Sequence, residues 1–370
     1  MTIGIDARLY KTGLGIGRYI EKLIGNLEQI DQVNTYVIFL RKEAYTTYHP
    51  TNPYFKKVLA DIPWYSFREQ CQMPSLLAKN KLDLVHFPHF NVPIFTKVPF
   101  VVTIHDLIMV KFPQSATSAA STRHPFIHWL KYCAYRWILS RACSRAHAII
   151  TVSNYVRDDL VRLLGIDPQK ISVIYEAAGT VSQEGDNTLP STVQAPYILS
   201  IGNAYPHKNL ETLLKAFALL RKEKPELQLV LCGQEDYFYH RILAQIHDMG
   251  MDGKVIHLGI VSDATLSVLY RNAEAYVFPS YEEGFGLPGL EAMAAGIPVV
   301  ASNLSCLPEI YGDAALYFNP SSQEEIKETI LRVLTDTSLR HEHIKRGLEH
   351  VKKYSWEGTA RRTKEVYSHI

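Results

Sequence analysis

The sequence predicts an α/β protein of two Rossmann-like domains, with parallel sheets facing a central cleft. Three observations carry that prediction. Short β-branched runs alternate with helical patterns in both halves, the pattern of repeated βαβ units. The length of 370 residues favours two domains at roughly 150 residues each. Residues 179–196 hold Gly, Ser, Thr, Gln, Asn and two prolines with few apolar side chains, which suits an interdomain linker. The expected division is residues 1–178, the linker 179–196, residues 197–353, and a terminal helix over 354–370.

In the first half the β-branched runs predict strands over residues 3–6, 36–40, 84–87, 100–104, 148–152 and 171–174. In the second half they predict strands over 197–201, 227–231, 255–258, 275–278, 299–301 and 316–318. Ligands of open α/β sheets bind at the carboxyl ends of such strands. The loops that follow them are therefore where chemistry is expected.

Composition narrows the function classes. Apolar residues at 47% and charged residues at 21% argue against disorder. The net charge of +2 argues against a dedicated nucleic-acid binder. The charge is unevenly spread. Residues 1–178 carry 21 basic and 13 acidic side chains, whereas residues 179–370 carry 18 and 24. The five cysteines are irregularly spaced with no C-x-x-C, against a disulfide framework or zinc ribbon and in keeping with a reducing cytosol. No basic, apolar leader pattern and no apolar run of about 18 residues is present. A cytoplasmic protein is expected, with attachment to the inner face of the cytoplasmic membrane left open.

The first predicted strand runs into Gly13, Gly15 and Gly17, followed by Arg18 and a helical pattern. Glycines let backbone approach an anion, and a helix N-terminus offers N–H groups and partial positive charge. The G-x-G-x-G spacing does not meet the dinucleotide fingerprint, and a flexible βα turn is the plainer alternative. In the second half, residues 275–278 lead into Glu282, Glu283, Gly284, Phe285, Gly286, Leu287, Pro288 and Glu291. Pro288 fits the start of a helix and Gly296 its end. The N–H groups of Phe285, Gly286 and Leu287 are expected to face an anion or hydroxyl. Glu291, expected in the first helical turn, suits vicinal hydroxyls such as those of a ribose. Both carboxylates could equally be charges favoured by the helix dipole.

Glu283 and Glu291, within E-G-F-G-L-P-x-L-E-A-M-A-x-G-x-P-V-V-A-S, resemble the E-x7-E signature of the retaining family 4 glycosyltransferases, also called group 1. The resemblance covers most of the chain and implies the GT-B fold. It implies that Glu291 holds the ribose of a nucleotide sugar, and that Glu283 faces the donor sugar. The backbone of Phe285, Gly286 and Leu287 would contact sugar and diphosphate. The segment with Gly202, Asn203, His207, Lys208 and Asn209 is similar to the family's Lys-Asn segment, which assigns Lys208 to the diphosphate. An ordinary surface lysine is the alternative. Relatives usually add an arginine here; Asn203 and a partly charged His207 stand in its place. Charge stabilisation then rests more on Lys208 and on the Gly15 and Gly17 loop. Val261 lies in a segment resembling the one that packs beside the base, and residues 354–370 resemble the helix that crosses back onto the first domain.

His105 ends the strand over 100–104, and similar family members place this histidine by the transferred sugar or acceptor. A structural histidine is the alternative. With His86 and His89 it could bind a metal, but no carboxylate or cysteine completes a recognisable spacing, so no metal is expected. Residues 107–157 contain no Asp or Glu and interleave basic with aromatic residues, among them Arg123, Trp129, Lys131, Arg136 and Trp137. These suit an anionic membrane surface or a phosphate-linked lipid acceptor, though a solvated helix with an aromatic core face has the same composition.

Together these readings imply a retaining, metal-independent hexosyltransferase without a cofactor. It would move a hexose from a nucleoside diphosphate sugar to a glycan or lipid-linked acceptor, with no nucleic-acid partner. The Gly-Ile-Gly-Arg-Tyr opening and His-Asp segment resemble bacterial mannosyltransferases of polysaccharide assembly, which makes GDP-mannose the first donor expected. Rival readings are an NAD(P)-dependent oxidoreductase using residues 13–17 and Arg41, and an epimerase or non-catalytic binder on the same fold.

Overall fold

The computed structural model describes residues 1–12, 15–113, 125–179 and 188–370, with the side chains of residues 125–128 left out. It divides into two compact units. Unit 1 comprises Met1–Leu107, Phe126–Glu176 and Ser355–Ile370; unit 2 comprises Ile108–Pro125 and Ala177–Tyr354. The sequence pattern puts residues 1–178 in one piece, but Ile108–Pro125 groups with unit 2. One reason is local: Lys111 Nζ pairs with Glu282 Oε1 at 2.8 Å, and both groups are largely buried.

Unit 1 is a seven-stranded sheet. Its strands are β1 (Thr2–Asp6), β2 (Thr35–Leu40), β3 (Phe55–Leu59), β4 (Leu84–Phe87), β5 (Phe100–Ile104), β6 (Ala148–Thr151) and β7 (Ile171–Val173). They lie in the order β3-β2-β1-β4-β5-β6-β7, and every pairing is parallel. Central strands β4 and β5 are buried along their whole length, as parallel strands covered on both faces must be. Strand β3 is missing from the sequence prediction because Lys56 and Lys57 interrupt its apolar run. It is an edge strand, where lysines are common. Lys57 Nζ donates to the carbonyls of Tyr45 and Tyr48, both at 2.8 Å.

The helix Trp356–Ser368 belongs to unit 1. Ala360 and Thr363 are fully buried. Thr359 Oγ1 donates to the Tyr175 carbonyl at 2.7 Å, and Tyr367 Oη lies 2.6 Å from His86 Nδ1. The last helix therefore supplies part of the first unit's core.

Unit 2 is a six-stranded parallel sheet. Its strands are β8 (Tyr197–Ile201), β9 (Gln228–Cys232), β10 (Val255–His257), β11 (Ala275–Phe278), β12 (Val299–Ser302) and β13 (Ala315–Phe318). The order is β10-β9-β8-β11-β12-β13. Its core packs Leu213, Leu214 and Phe217 with Leu229, Val277, Val300, Ile326 and Ile330, all fully buried. In each sheet the strand order reverses once, between β1 and β4 and between β8 and β11. The crevice outside the carboxyl ends at such a reversal is the expected ligand position.

Candidate functional site

At the reversal in unit 2, Gly202 follows β8 with φ 145°, and Pro206–Lys208 forms one turn of 3-10 helix. Asn209 ends that turn in a left-handed conformation, φ 57°. Its amide donates to the carbonyls of Pro279 and Pro320 at 3.0 and 2.8 Å. This buried amide ties the loop after β8 to the loop after β11. Sequence reading quotes Asn209 as part of a motif but does not foresee this role.

The tie brings Lys208 against Glu283, with Nζ 2.6 Å from Oε1 and the lysine still one-fifth exposed. An ammonium has three donors, so Lys208 can keep Glu283 while offering hydrogen bonds to an anion. His207 is buried between the rings of Tyr205 and Phe112. Burial, then the neighbouring Lys208 charge, pushes its pKa down to about 3. The expectation of a partly charged His207 is therefore corrected: it is neutral at physiological pH and does not replace an arginine. Lys208 carries that charge, and Asn203 follows Gly202 in the same loop.

The helix after β11 is Leu287–Ala294, with Gly286 at its N-cap in the left-handed region, φ 92°. Phe285, Gly286 and Leu287 thus lie at a helix N-terminus, where partial positive charge favours anions. Tyr311 fixes the loop. Its buried hydroxyl donates to the Gly286 carbonyl at 2.5 Å, and its ring occupies the space that a Cβ on Gly286 or Gly289 would need. Glu291 lies in the second helical turn, one turn later than expected. It is buried, and Tyr270 Oη donates to its Oε2 at 3.1 Å. Burial, then the Glu291 charge, raises the Tyr270 phenol well above its usual range, so it stays a donor. Ala295 caps the helix and Gly296 follows with φ 77°. Val261 lies between β10 and the helix Asp263–Asn272, next to its N-cap Ser262.

At the carboxyl end of β1 in unit 1, Gly15 begins the helix Gly15–Ile30 and is exposed. Gly13 lies outside the described residues. Gly17 is buried, and a Cβ there would come 2.7 Å from the Leu9 carbonyl and 2.9 Å from the Thr12 nitrogen. The third glycine is thus required by close backbone packing.

His105, at the end of β5, has Nδ1 3.0 Å from Glu176 Oε1 and Nε2 3.0 Å from the Pro88 carbonyl. Both partners are acceptors, an arrangement that favours the doubly protonated ring. Burial acts to lower its pKa, but the hydrogen bond and charge of Glu176 outweigh it and the net shift is upward. In this arrangement His105 is not a general base. The stabilisation from its raised pKa is fully present below the unfolded value of about 6.5 and is lost as pH rises through the folded value. Chemical denaturation from pH 6 to 9 is expected to show that decline, and Glu176→Gln to flatten it; equal slopes would refute the pairing.

His86 and His89 are held at about 3, by burial and then by the His105 charge. His86 is consumed by Tyr367 and by Thr103 Oγ1 at 2.8 Å. Among the described residues, no group of three His, Cys, Asp or Glu is placed to hold a metal ion.

The acid-free stretch includes the helix Pro125–Arg145. Trp129 and Trp137 are more than half exposed, and Lys131 and Arg136 are exposed beside them. Tyr135 and Leu139 face the core. Arg123 lies outside the described residues. Among the described residues, no helix is long and apolar enough to cross a membrane. Arg41, the cation of the dinucleotide reading, lies 4.9 Å over the Trp64 ring and pairs with Asp61.

Comparison with known proteins agrees with this geometry. Residues 14–178 match the model "Glycosyltransferase Family 4", and residues 182–350 match "Glycosyl transferases group 1". The O-antigen chain mannosyltransferase B of Escherichia coli is 35% identical over 238 residues, which span 62% of this chain and 62% of that relative. The O-antigen chain mannosyltransferase RfbU of Salmonella typhimurium is 26% identical over 337 residues, 88% of this chain and 89% of the relative. Among solved structures, a sucrose-phosphate synthase from Thermosynechococcus elongatus superposes with a TM-score of 0.77 at 21% identity, covering 100% of this chain and 98% of that one. Anabaena HepE in complex with UDP and glucose superposes with a TM-score of 0.74 at 16% identity, covering 100% of both chains. At those identities the likeness is one of fold, two Rossmann-like domains of the GT-B kind. None of these matches is an oxidoreductase.

Proposed function

The chain belongs to the group 1 glycosyltransferases of family 4, and from that premise we propose that it is a retaining, metal-independent mannosyltransferase of polysaccharide assembly. Its donor in this reading is GDP-mannose, and its acceptor is a hydroxyl of a glycan or lipid-linked saccharide. The observation that carries the proposal is the Lys208–Glu283 pair at the strand-order reversal of unit 2, with Glu291 eight residues on. The printed names of the two curated relatives support mannose.

The chemical difficulty is the charge that develops on the departing diphosphate. Lys208 and the N–H groups of Phe285, Gly286 and Leu287 would meet it without reorganising, which is where preorganised donors are most effective. Glu291, oriented by Tyr270, would accept the ribose hydroxyls. Glu283, held by Lys208, would face the mannose, and the backbone around Val261 would lie along the guanine. No enzyme nucleophile is invoked, so the bond to the diphosphate breaks and the bond to the acceptor oxygen forms on the same face of the sugar, with the acceptor's proton passing to the departing diphosphate.

A thermal-shift panel of GDP-, UDP- and ADP-sugars tests the donor. GDP-mannose at about 100 times its Kd is expected to add about 2.7 kcal/mol of stability and to raise Tm by several degrees. A shift with UDP-sugars alone would replace the donor, and no shift with any would sink the site. Proton NMR of the product should show the α-anomer retained, with turnover unaffected by EDTA.

The basic, aromatic face of the helix Pro125–Arg145 supports peripheral contact with an anionic membrane at the cytoplasmic face. Cosedimentation with phosphatidylglycerol vesicles is expected at low salt and lost at high salt. Each basic residue near a surface contributes about 1 kcal/mol, so Arg136→Ala should weaken binding about fivefold. Absence of binding at low salt would remove the membrane from the proposal.

A further inference from the structure

We propose that Lys111 is a second phosphate-binding cation of unit 2, which meets the donor's diphosphate together with Lys208. The inference rests on the glycosyl-transfer reading and adds to it a contact residue that lies outside both donor-site segments. In sequence Lys111 belongs to the acid-free stretch of the first half, and in space it belongs to unit 2.

Two adjacent residues fix its place. Lys111 Nζ lies 2.8 Å from Glu282 Oε1. The ring of Phe112 lies 6.2 Å from that of His207. Glu282 precedes Glu283, His207 precedes Lys208, and Lys208 Nζ is 2.6 Å from Glu283 Oε1. The loops after β8 and β11 are also joined directly, since the Tyr281 N–H donates to the His207 carbonyl at 2.7 Å. Lys111 and Phe112 therefore run along the same pair of loops that carries Lys208 and Glu283. The ammonium is held at the carboxyl end of β11, at the strand-order reversal.

Exposure orders the charges. The side chains of Lys111 and Lys208 are 16% and 20% exposed, against 7% and 9% for Glu282 and Glu283. The cation is the more accessible member of each pair. An anion arriving from solvent meets the ammonium groups ahead of the carboxylates behind them.

Charge makes the second cation necessary. Without Lys111 these loops would set Glu282 and Glu283 against one ammonium. His207 adds nothing, because burial, then the Lys208 charge, pushes its pKa down to about 3. A diphosphate would be repelled. With Lys111 the two pairs balance, and an ammonium has three donors, so a phosphate oxygen can join its carboxylate partner. Glu282 fixes the cation in place before the ligand arrives, which is the condition for effective stabilisation of a developing charge. When the bond from the sugar to the diphosphate breaks, its electron pair goes to the diphosphate oxygen. Lys111 would meet part of that charge and keeps its own proton.

Titration calorimetry of the full chain with GDP, saturation-transfer NMR with guanosine, and steady-state turnover of GDP-mannose test the assignment. Lys111→Gln should weaken GDP binding about 10- to 100-fold, the loss of one charge-assisted hydrogen bond. Guanosine binding should stay within about twofold. The fall in kcat should exceed the rise in KM, because the charge grows in the transition state. A clasp that merely docks the segment predicts a different outcome, which Lys111→Gln with Glu282→Gln reads. Two amides still hydrogen-bond and no carboxylate is left unpaired, so the segment stays docked. The double variant should keep the GDP defect. Recovery of GDP affinity in the double variant overturns the assignment, as does an equal loss for guanosine and GDP in Lys111→Gln. Lys208→Ala that loses GDP binding while Lys111→Gln keeps it also overturns the assignment and leaves the donor reading standing. If the wild type binds UDP instead of GDP, the same Lys111 dependence with UDP supports the cation and replaces the base. Wild type that binds neither refutes the donor reading and Lys111 with it.

Discussion

Lys208→Ala is expected to lower kcat about 10²- to 10³-fold, the loss typical when one preorganised donor is withdrawn from a developing negative charge. The effect should fall on kcat more than on KM, because the charge on the diphosphate grows as the glycosidic bond breaks. The substitution also leaves Glu283, which is mostly buried, without its cation. Some loss of stability is expected from that alone. Lys208→Ala with Glu283→Ala separates the two effects. The double variant should recover stability but not turnover, and its effects should not be additive, since the residues are in contact. Turnover within threefold of wild type for Lys208→Ala, measured with GDP-mannose and acceptor, would overturn the assignment.

Gly289→Ala is expected to destabilise unit 2 strongly. A Cβ at this position overlaps Tyr311 Oη and Cζ and lies 3.0 Å from Cε1. Tyr311 is fully buried and cannot swing away without releasing the Gly286 carbonyl. Overpacking of this kind costs about 3 kcal/mol, which for a unit of this size lowers Tm by roughly 6–12 °C. Because the displaced tyrosine holds the loop of Phe285, Gly286 and Leu287, GDP binding should weaken as well. Tyr311→Phe should not rescue the variant, since the ring carbon still overlaps. Tyr311→Leu should restore part of the stability. A Gly289→Ala protein that melts with the wild type would show that this close approach is not needed.

Much of the framework can be read from the chain because its signals are local. Ser153 accepts the N–H of Val156, and Gly165 takes φ 65°, so the helix Asn154–Leu164 is bounded by residues whose chemistry announces it. Twelve strands show as apolar, β-branched runs. Strand β3 does not, because Lys56 and Lys57 break its apolar run. The E-x7-E loop is also local, and its resemblance to a family places Glu283 and Glu291 before any geometry is known.

The partners of those residues are not legible in the same way. Lys208 meets Glu283 across 75 positions, and His105 meets Glu176 across 71. Tyr270 and Tyr311 look like ordinary core aromatics until the fold brings their hydroxyls to Glu291 and Gly286. His207 reads as a half-charged substitute for arginine, and only its burial shows otherwise.

The assignment of Ser355–Ile370 to unit 1 bears on how the protein is made. These residues leave the ribosome after the whole of unit 2, yet Tyr367 and Thr363 belong to the core that contains Tyr19, His86 and Thr103. Domains usually fold in the order of their synthesis. Here the first unit begins folding early but closes its interior only after residues 355–370 have emerged, so the sheet behind the loop at Gly15 and Gly17 gains its final packing after unit 2 has been made. A nascent chain that has emerged as far as Tyr354 would therefore present a complete second unit and an open first one.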